Sequence, residues 1–347
     1  MATSVFARYR GMSALLLAVA LTTIGVRTYL QSDPAHFSGL GAGPPRTVYI
    51  KPKTGVQEIA QTLWEAGVIR NRWSFLALAY MQGSPTRLKA GEYEFTHGMS
   101  LREILQKLEA GRVVTHQVTI PEGFTARDIA RLLAGEKLVD ADLFMALVTD
   151  SQFVGALGVR GESLEGYLFP DTYRLTRGMG EAEILRTMVT RFRQAVPKDL
   201  GAQARRVGLD AHSVVTLASL IEKEARLDSE RPLVAAVFYN RLRRNMPLQS
   251  DPTAVYGVPR PRRRITSLDL KRKTRYNTYL KAGLPPGPIA NPGMASLQAA
   301  LNPARVSYLY FVAKNDGSHF FSRTLEQHAE AVRKYQARSD GSGGRGS

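Results

Sequence analysis

The sequence predicts an α+β protein made of a single N-terminal transmembrane helix, a small α+β module and a larger mixed α/β region. Three observations lead there. An uncharged apolar run opens the chain, short strand signals alternate with helices whose apolar residues recur at 3.6-residue spacing, and one strand, turn, helix pattern occurs twice. At 347 residues the chain has the length for two compact domains, each able to bury a core without disulfides or metal. Cysteine is absent, which removes thiol nucleophiles, iron–sulfur sites and disulfides. A formal charge of +17 implies a polyanionic neighbourhood: nucleic acid, anionic lipid or a carboxylate-bearing polymer such as cell wall.

The N-terminus narrows that choice. Gly11 to Val26 carries no charge, Arg8 and Arg10 precede it, and a span over residues 11–30 forms if Arg27 snorkels to the interface. A cleaved signal peptide is the rival, but no small-residue cleavage site follows the apolar run. The positive-inside rule leaves residues 1–10 in the cytoplasm and exports everything after Leu30. Export argues against a nucleic-acid partner.

Residues 31–46, rich in Gly, Pro and Ser, predict a flexible linker. Its GLGAG lacks the flanking strand and helix of a phosphate loop. Thr47 to Ile50 predicts a strand, and Ile59, Ala60 and Leu63 mark a helix over Gln57 to Ala66. At an offset of 70 positions, Val118 and Ile120 repeat Val48 and Ile50, and Ile129, Ala130 and Leu133 repeat the helix. Between the copies, Met99 to Leu108 predicts an amphipathic helix with Ser100 and Glu103 as its capping box.

Glu162 to Leu175 is aromatic, with Tyr167, Phe169 and Tyr173 around a Pro-Asp turn. Such rings line sugar grooves, whereas the alternation of Tyr167 and Phe169 fits a half-buried strand packed into a core. Glu165 shares that ambiguity. Glu181 to Val196 predicts a helix ended by Pro197. From Ser213 the run Val214, Val215, Leu217, Ala218, Leu220 and Ile221 leaves almost no polar face, which predicts a buried helix.

Glu222 follows that run directly. A carboxyl at the end of a buried helix loses water and faces the negative end of the helix dipole, which favours its protonated form and makes a general acid. The alternative is a solvated Glu222, or one paired with Lys223, Arg226 or Arg241. Pro232 opens a further helix whose apolar positions lead to Asn240 and Arg241. Asp251 before Pro252 has the form of an N-cap. Arg260 to Arg275 is the densest basic run and predicts a solvated or anion-facing loop, and Gly283 to Gly293 a Pro-stiffened one. Tyr308 to Ala313 predicts a strand, Asn315 to Ser318 a hairpin turn, Thr324 to Gln336 a closing helix, and residues 338–347 a disordered tail.

The six histidines show no metal-ligand spacing, and no H-E-x-x-H, G-x-S-x-G or P-loop motif occurs. No cofactor is expected. What remains is a carboxyl on a buried helix among amides, hydroxyls and tyrosines, which suits glycoside chemistry. Two-carboxylate mechanisms would draw on weaker partners in Glu224, Asp251 and Glu165, whereas one carboxyl suffices if the substrate's own acetamido oxygen or hydroxyl is the nucleophile.

The segments LEGYLFPDTY, LASLIEKEA, VFYNRL, LQSDPTAVYG, YNTY, GLPPGPIANPG and YLYFVA, in that order, resemble the endolytic murein transglycosylase family, also called YceG-like. The resemblance implies a cytoplasmic-membrane anchor, a LysM-like module at 47–117 and a YceG-like catalytic region at 118–337 with its core at 205–337. It implies internal cutting of peptidoglycan strands with 1,6-anhydro-N-acetylmuramic acid ends, and work beside peptidoglycan synthases that limits strand elongation. The first Glu of E-K-E, Glu222, is implied as the acid, and Glu224 as support. Asn240, Gln249, Ser250, Asp251, Tyr256, Asn277 and Tyr279 are implied to line a glycan-binding groove. The basic 260–275 run departs from the pattern. Two other expectations compete: a non-catalytic peptidoglycan-binding scaffold, and a lysozyme-like hydrolase.

Overall fold

A computed structural model describes residues 44–96, 98–258 and 265–336, together with Gly25. The predicted span at 11–30, most of the linker and the tail lie outside the described residues. Among the described residues, no helix is long and apolar enough to cross a membrane. The chain divides into two compact units, one running to His116 with Arg174–Met179, the other comprising Gln117–Tyr173 and the chain from Gly180.

The first unit contains β1 (Arg46–Ile50), α1 (Val56–Glu65), α2 (Arg72–Met81), β2 (Gly91–Phe95) and α3 (Leu101–Ala110). β1 and β2 pair antiparallel with Val48 opposite Tyr93, and Ile59, Leu63, Phe75, Leu78, Phe95, Ile104 and Leu108 complete the core. Ser100 and Glu103 form the capping box that their spacing predicts. α2 escapes sequence reading because Trp73 and Tyr80 lie on its solvent side and blur the apolar stripe. β2 escapes because Glu92, on the face opposite the core residues Tyr93 and Phe95, is also buried; it is satisfied by Arg177 and His116, both at 2.5 Å.

Down the chain follow β3 (His116–Thr119), α4 (Ala126–Gly135), α5 (Ala141–Thr149), α6 (Ser151–Ala156), β4 (Thr172–Leu175), α7 (Glu181–Ala195) and α8 (Leu200–Arg206). Next come α9 (Ala211–Glu224), a 3-10 turn at Asp228–Glu230, α10 (Arg231–Arg243), α11 (Asp251–Val255) and α12 (Ser267–Leu270). The last described elements are α13 (Met294–Leu301), β5 (Tyr310–Ala313), β6 (His319–Ser322) and α14 (Leu325–Gln336). Among the described residues the strands form three two-stranded sheets, so the fold is α+β with short sheets. The repeat at offset 70 exists in space: β3 leads into α4 as β1 leads into α1, and Ile129, Ala130 and Leu133 are buried like their counterparts.

α9 is the central helix of the second unit. Asp210 caps it by accepting from the Ser213 N–H at 2.7 Å, and every residue from Val214 to Ile221 is buried. Its one buried serine is satisfied: Ser219 Oγ donates to Thr216 O at 2.7 Å and accepts from Ile289 N–H at 3.0 Å. α10 and α13 pack against it and against each other.

Three expectations need correcting. Tyr167 and Phe169 are buried, but in a turn segment rather than a strand. Their flanking N–H groups at Gly166 and Leu168 both donate to Asn291 Oδ1 at 2.9 Å, so a side-chain amide replaces a strand partner. Gly166, at φ +87°, lies so close to Pro288 that a Cβ would strike the ring. Asp251 is not an N-cap: Ser250 occupies that position, and the Asp251 carboxylate instead accepts from Tyr279 Oη at 2.5 Å. The basic run is also not a plain loop. Its described part holds α12 with a Thr266/Asp269 capping box, and Arg275 grips Glu162 with two bonds of 3.0 and 2.9 Å.

Candidate active site

The last turn of α9 carries Glu222 and Glu224, which lie about 200° apart around a helix at roughly 100° per residue. They therefore meet different surroundings. Glu222 has a side chain 6% exposed, and its Oε2 lies 3.1 Å from the Arg231 guanidinium and accepts from the Gly293 N–H at 3.0 Å. Arg231, on the first turn of α10, also binds Asp228 at 2.9 Å and the Ser296 hydroxyl.

The partner of Glu222 is thus Arg231, which the sequence reading did not weigh. Lys223 donates to Gly123 O instead, and Arg241 is spent on Leu309 O, Pro247 O and Leu248 O. Gly293 lies close against the Glu122 carboxyl, which a Cβ there would displace. Burial, with the Glu222 charge second, raises the Glu122 carboxyl above its ordinary value.

Glu224 faces the other way. Burial pushes its carboxyl up to about 7, against the lowering effect of a 2.5 Å hydrogen bond from Ser250 Oγ, while the charge of Asp251 adds to the rise. Among the described residues no cation pairs with it directly, although Arg241 lines the same cavity. Glu224 lines a polar cavity of about 320 Å³ together with Gln249, Asp251, Tyr279, His319 and His328. Gln249 sits at φ +53° and accepts from Arg241 at 3.1 Å, so the buried guanidinium fixes the 247–249 loop that forms one wall. Burial, then the nearby Arg241 charge, lowers the His328 imidazole.

The residues implied by resemblance separate accordingly. Gln249, Ser250, Asp251 and Tyr279 gather around Glu224. Asn240 donates from Nδ2 to Val306 O and Tyr308 O at 2.9 and 2.8 Å. Asn277 does the same to Leu270 O and Arg272 O, and its Oδ1 accepts from the Tyr279 N–H at 3.0 Å. Both asparagines are buried and tie backbone to backbone. Tyr256 donates to Glu165 at 3.0 Å and packs on Tyr276 at 4.6 Å. Burial also pushes Glu165 up to about 7, although Ala126 N–H, Tyr256 and Asn291 all donate to it.

Sequence reasoning passed over Glu122, Arg231, Asn291, His319 and His328. The histidines were tested only for metal spacing, which is blind to a hydrogen-bonding role. No local signal marks Asn291, whose partners lie more than a hundred residues upstream.

A buried carboxyl raised well above its ordinary value, beside hydroxyls, an amide and imidazoles in a polar cavity, is equipment for proton transfer on a polar substrate. The chain belongs to the YceG-like family, whose model matches residues 48–334. It is 35% identical over 304 residues to an endolytic murein transglycosylase of Bacillus subtilis (strain 168), covering 83% of this chain and 84% of that protein. It is 31% identical over 324 residues to an endolytic murein transglycosylase of Streptococcus pneumoniae (strain D39), spanning 83% of this chain and 58% of that relative. A 2.6 Å crystal structure of a yceG-like protein from Listeria monocytogenes matches at a TM-score of 0.58 and 32% identity, over 84% of this chain and 100% of that one.

Proposed function

We propose that this protein is a peptidoglycan lytic transglycosylase that cuts within glycan strands, at the β-1,4 bond between N-acetylmuramic acid and N-acetylglucosamine, and leaves 1,6-anhydro ends. The observation that carries the chemistry is Glu224, a carboxyl that burial holds neutral to about 7 at the wall of a polar cavity. Glu224 donates its proton to the glycosidic oxygen as the anomeric C–O bond breaks. The carboxylate then takes the proton of the muramic C6 hydroxyl as O6 closes on the anomeric carbon. Glu224 ends protonated and no water is consumed. A group that titrates near neutrality does both jobs with little driving force lost in either.

Assigning the proton to Glu224 moves it two residues from Glu222, where the family resemblance placed it. Glu222 accepts from a guanidinium and a backbone N–H, an arrangement that orders the end of α9. The second reading keeps Glu222 as the acid, and the neighbouring Glu122 carboxyl, raised by burial, favours it by offering a proton nearby. Ser250, Asp251, Tyr279 and Gln249 serve as groove residues in our assignment, with Asn240, Asn277 and Tyr256 supporting them from behind.

The finer parts of the reading rest on the sequence. They are a single-pass anchor at 11–30 in the cytoplasmic membrane, a LysM-like module at 47–117, and action beside the synthases that limits strand length. The test of the reaction is mass spectrometry of products from uncross-linked glycan. An anhydro end is lighter than a hydrolysed reducing end by one water. Hydrolysed ends would make the protein a lysozyme-like hydrolase, and bound but uncut strands would make it a scaffold.

A further inference from the structure

His319 lines the same cavity as Glu224 and is held there at two points by one carboxylate. Glu230 accepts the His319 backbone N–H at 2.9 Å through Oε1, and its Oε2 lies 2.7 Å from the ring Nδ1. Both side chains are nearly buried, at 10% and 11% exposed. Phe311 meets the ring edge-on at 5.4 Å and Phe321 lies 6.2 Å away, so its plane is fixed. Facing a carboxylate, a neutral imidazole carries its proton on Nδ1, donates it as a hydrogen bond, and leaves Nε2 as a lone-pair acceptor. Among the described residues Nε2 has no hydrogen-bond partner, and it is not buried from solvent. An apolar ring would fill the space between Phe311 and Phe321 without requiring a buried carboxylate. An oriented, unoccupied acceptor in a cavity of polar walls calls for a donor from outside the chain.

We propose that His319 is a substrate-contacting residue whose Nε2 accepts a hydrogen bond from a hydroxyl or acetamido N–H of the glycan in the Glu224 cavity. Glu230 is the residue that positions it. The inference rests on the transglycosylase reading and adds a contact to that site. It is tested by binding of uncross-linked glycan to the full chain carrying Glu222→Gln and Glu224→Gln together, which removes cutting under either assignment of the acid. Adding His319→Ala should weaken binding about tenfold, the effect of one neutral hydrogen bond. In the otherwise unchanged enzyme it should raise KM by a similar factor and change kcat less. Glu230→Gln should weaken binding by a smaller factor, since the ring stays in place but is less firmly oriented. If His319→Ala does not fold, His319→Phe fills the aromatic clamp without an acceptor and should show the same loss. Unchanged affinity and KM in folded variants would overturn the assignment to His319. Wild type that binds glycan without cutting it would overturn the transglycosylase reading instead, and the binding measurement would still decide on His319.

Discussion

On one side of the last turn of α9, Glu222 accepts from the Arg231 guanidinium and the Gly293 N–H. On the other, Glu224 has, among the described residues, only the Ser250 hydroxyl as donor, with the Asp251 carboxylate and Arg241 as charged neighbours in the cavity. Both are drawn out of water on the same helix, so burial alone does not separate a structural carboxylate from a proton donor. The partner does. A guanidinium in direct contact holds a carboxylate as an acceptor, whereas a carboxyl bonded to a hydroxyl keeps its proton to higher pH, even with Arg241, spent on Leu309 O and Leu248 O, in the same cavity wall.

The largest expected effect falls on the Glu224 side. Glu224→Ala should lower the initial rate of strand cutting by about a thousandfold, within the range for loss of a general acid–base group. A smaller loss would place the proton elsewhere. On the Glu222 side the expected effect is on folding. Glu222→Ala leaves the nearly buried Arg231 facing one carboxylate fewer, and should cost about 3 kcal/mol in denaturant unfolding. Unchanged stability would mean that this ion pair does not order the end of α9.

The smallest effect concerns pH. Glu165 and Glu224 are both raised to about 7 from an ordinary 4.5, so between those values the folded chain keeps protons that the unfolded chain releases. Their contribution to stability is full below about 4.5, falls as pH rises toward 7 and is level above. Glu165→Gln should shallow that slope, measured as melting temperature against pH. An unaltered slope would mean that Glu165 is ionised in the fold.

The strand, turn, helix repeat, the Ser100 capping box, the buried run of α9 and the β5–β6 hairpin were legible because each is a local pattern whose partners lie within a few residues. The site was legible only as a set of residues. That Gln249, Ser250, Asp251 and Tyr279 belong with Glu224 follows from two residues of helical phase and from a loop fixed by Arg241. Arg231 was hidden because its contact with Glu222 depends on the 3-10 turn between α9 and α10. Asn291 was hidden because it satisfies the Gly166 and Leu168 N–H groups from far along the chain. Asp251 had the sequence form of a cap, and tertiary structure gave its carboxylate to Tyr279.

The most direct measurement compares Glu222→Gln and Glu224→Gln, each verified as folded, for release of anhydro-ended fragments from uncross-linked glycan near neutral pH. Gln is nearly isosteric with Glu and cannot donate a carboxyl proton. The account predicts that Glu224→Gln releases no fragments while Glu222→Gln keeps activity within about tenfold of wild type, the loss of one charged contact being mainly structural. Abolished cutting in Glu222→Gln with cutting retained in Glu224→Gln would contradict it.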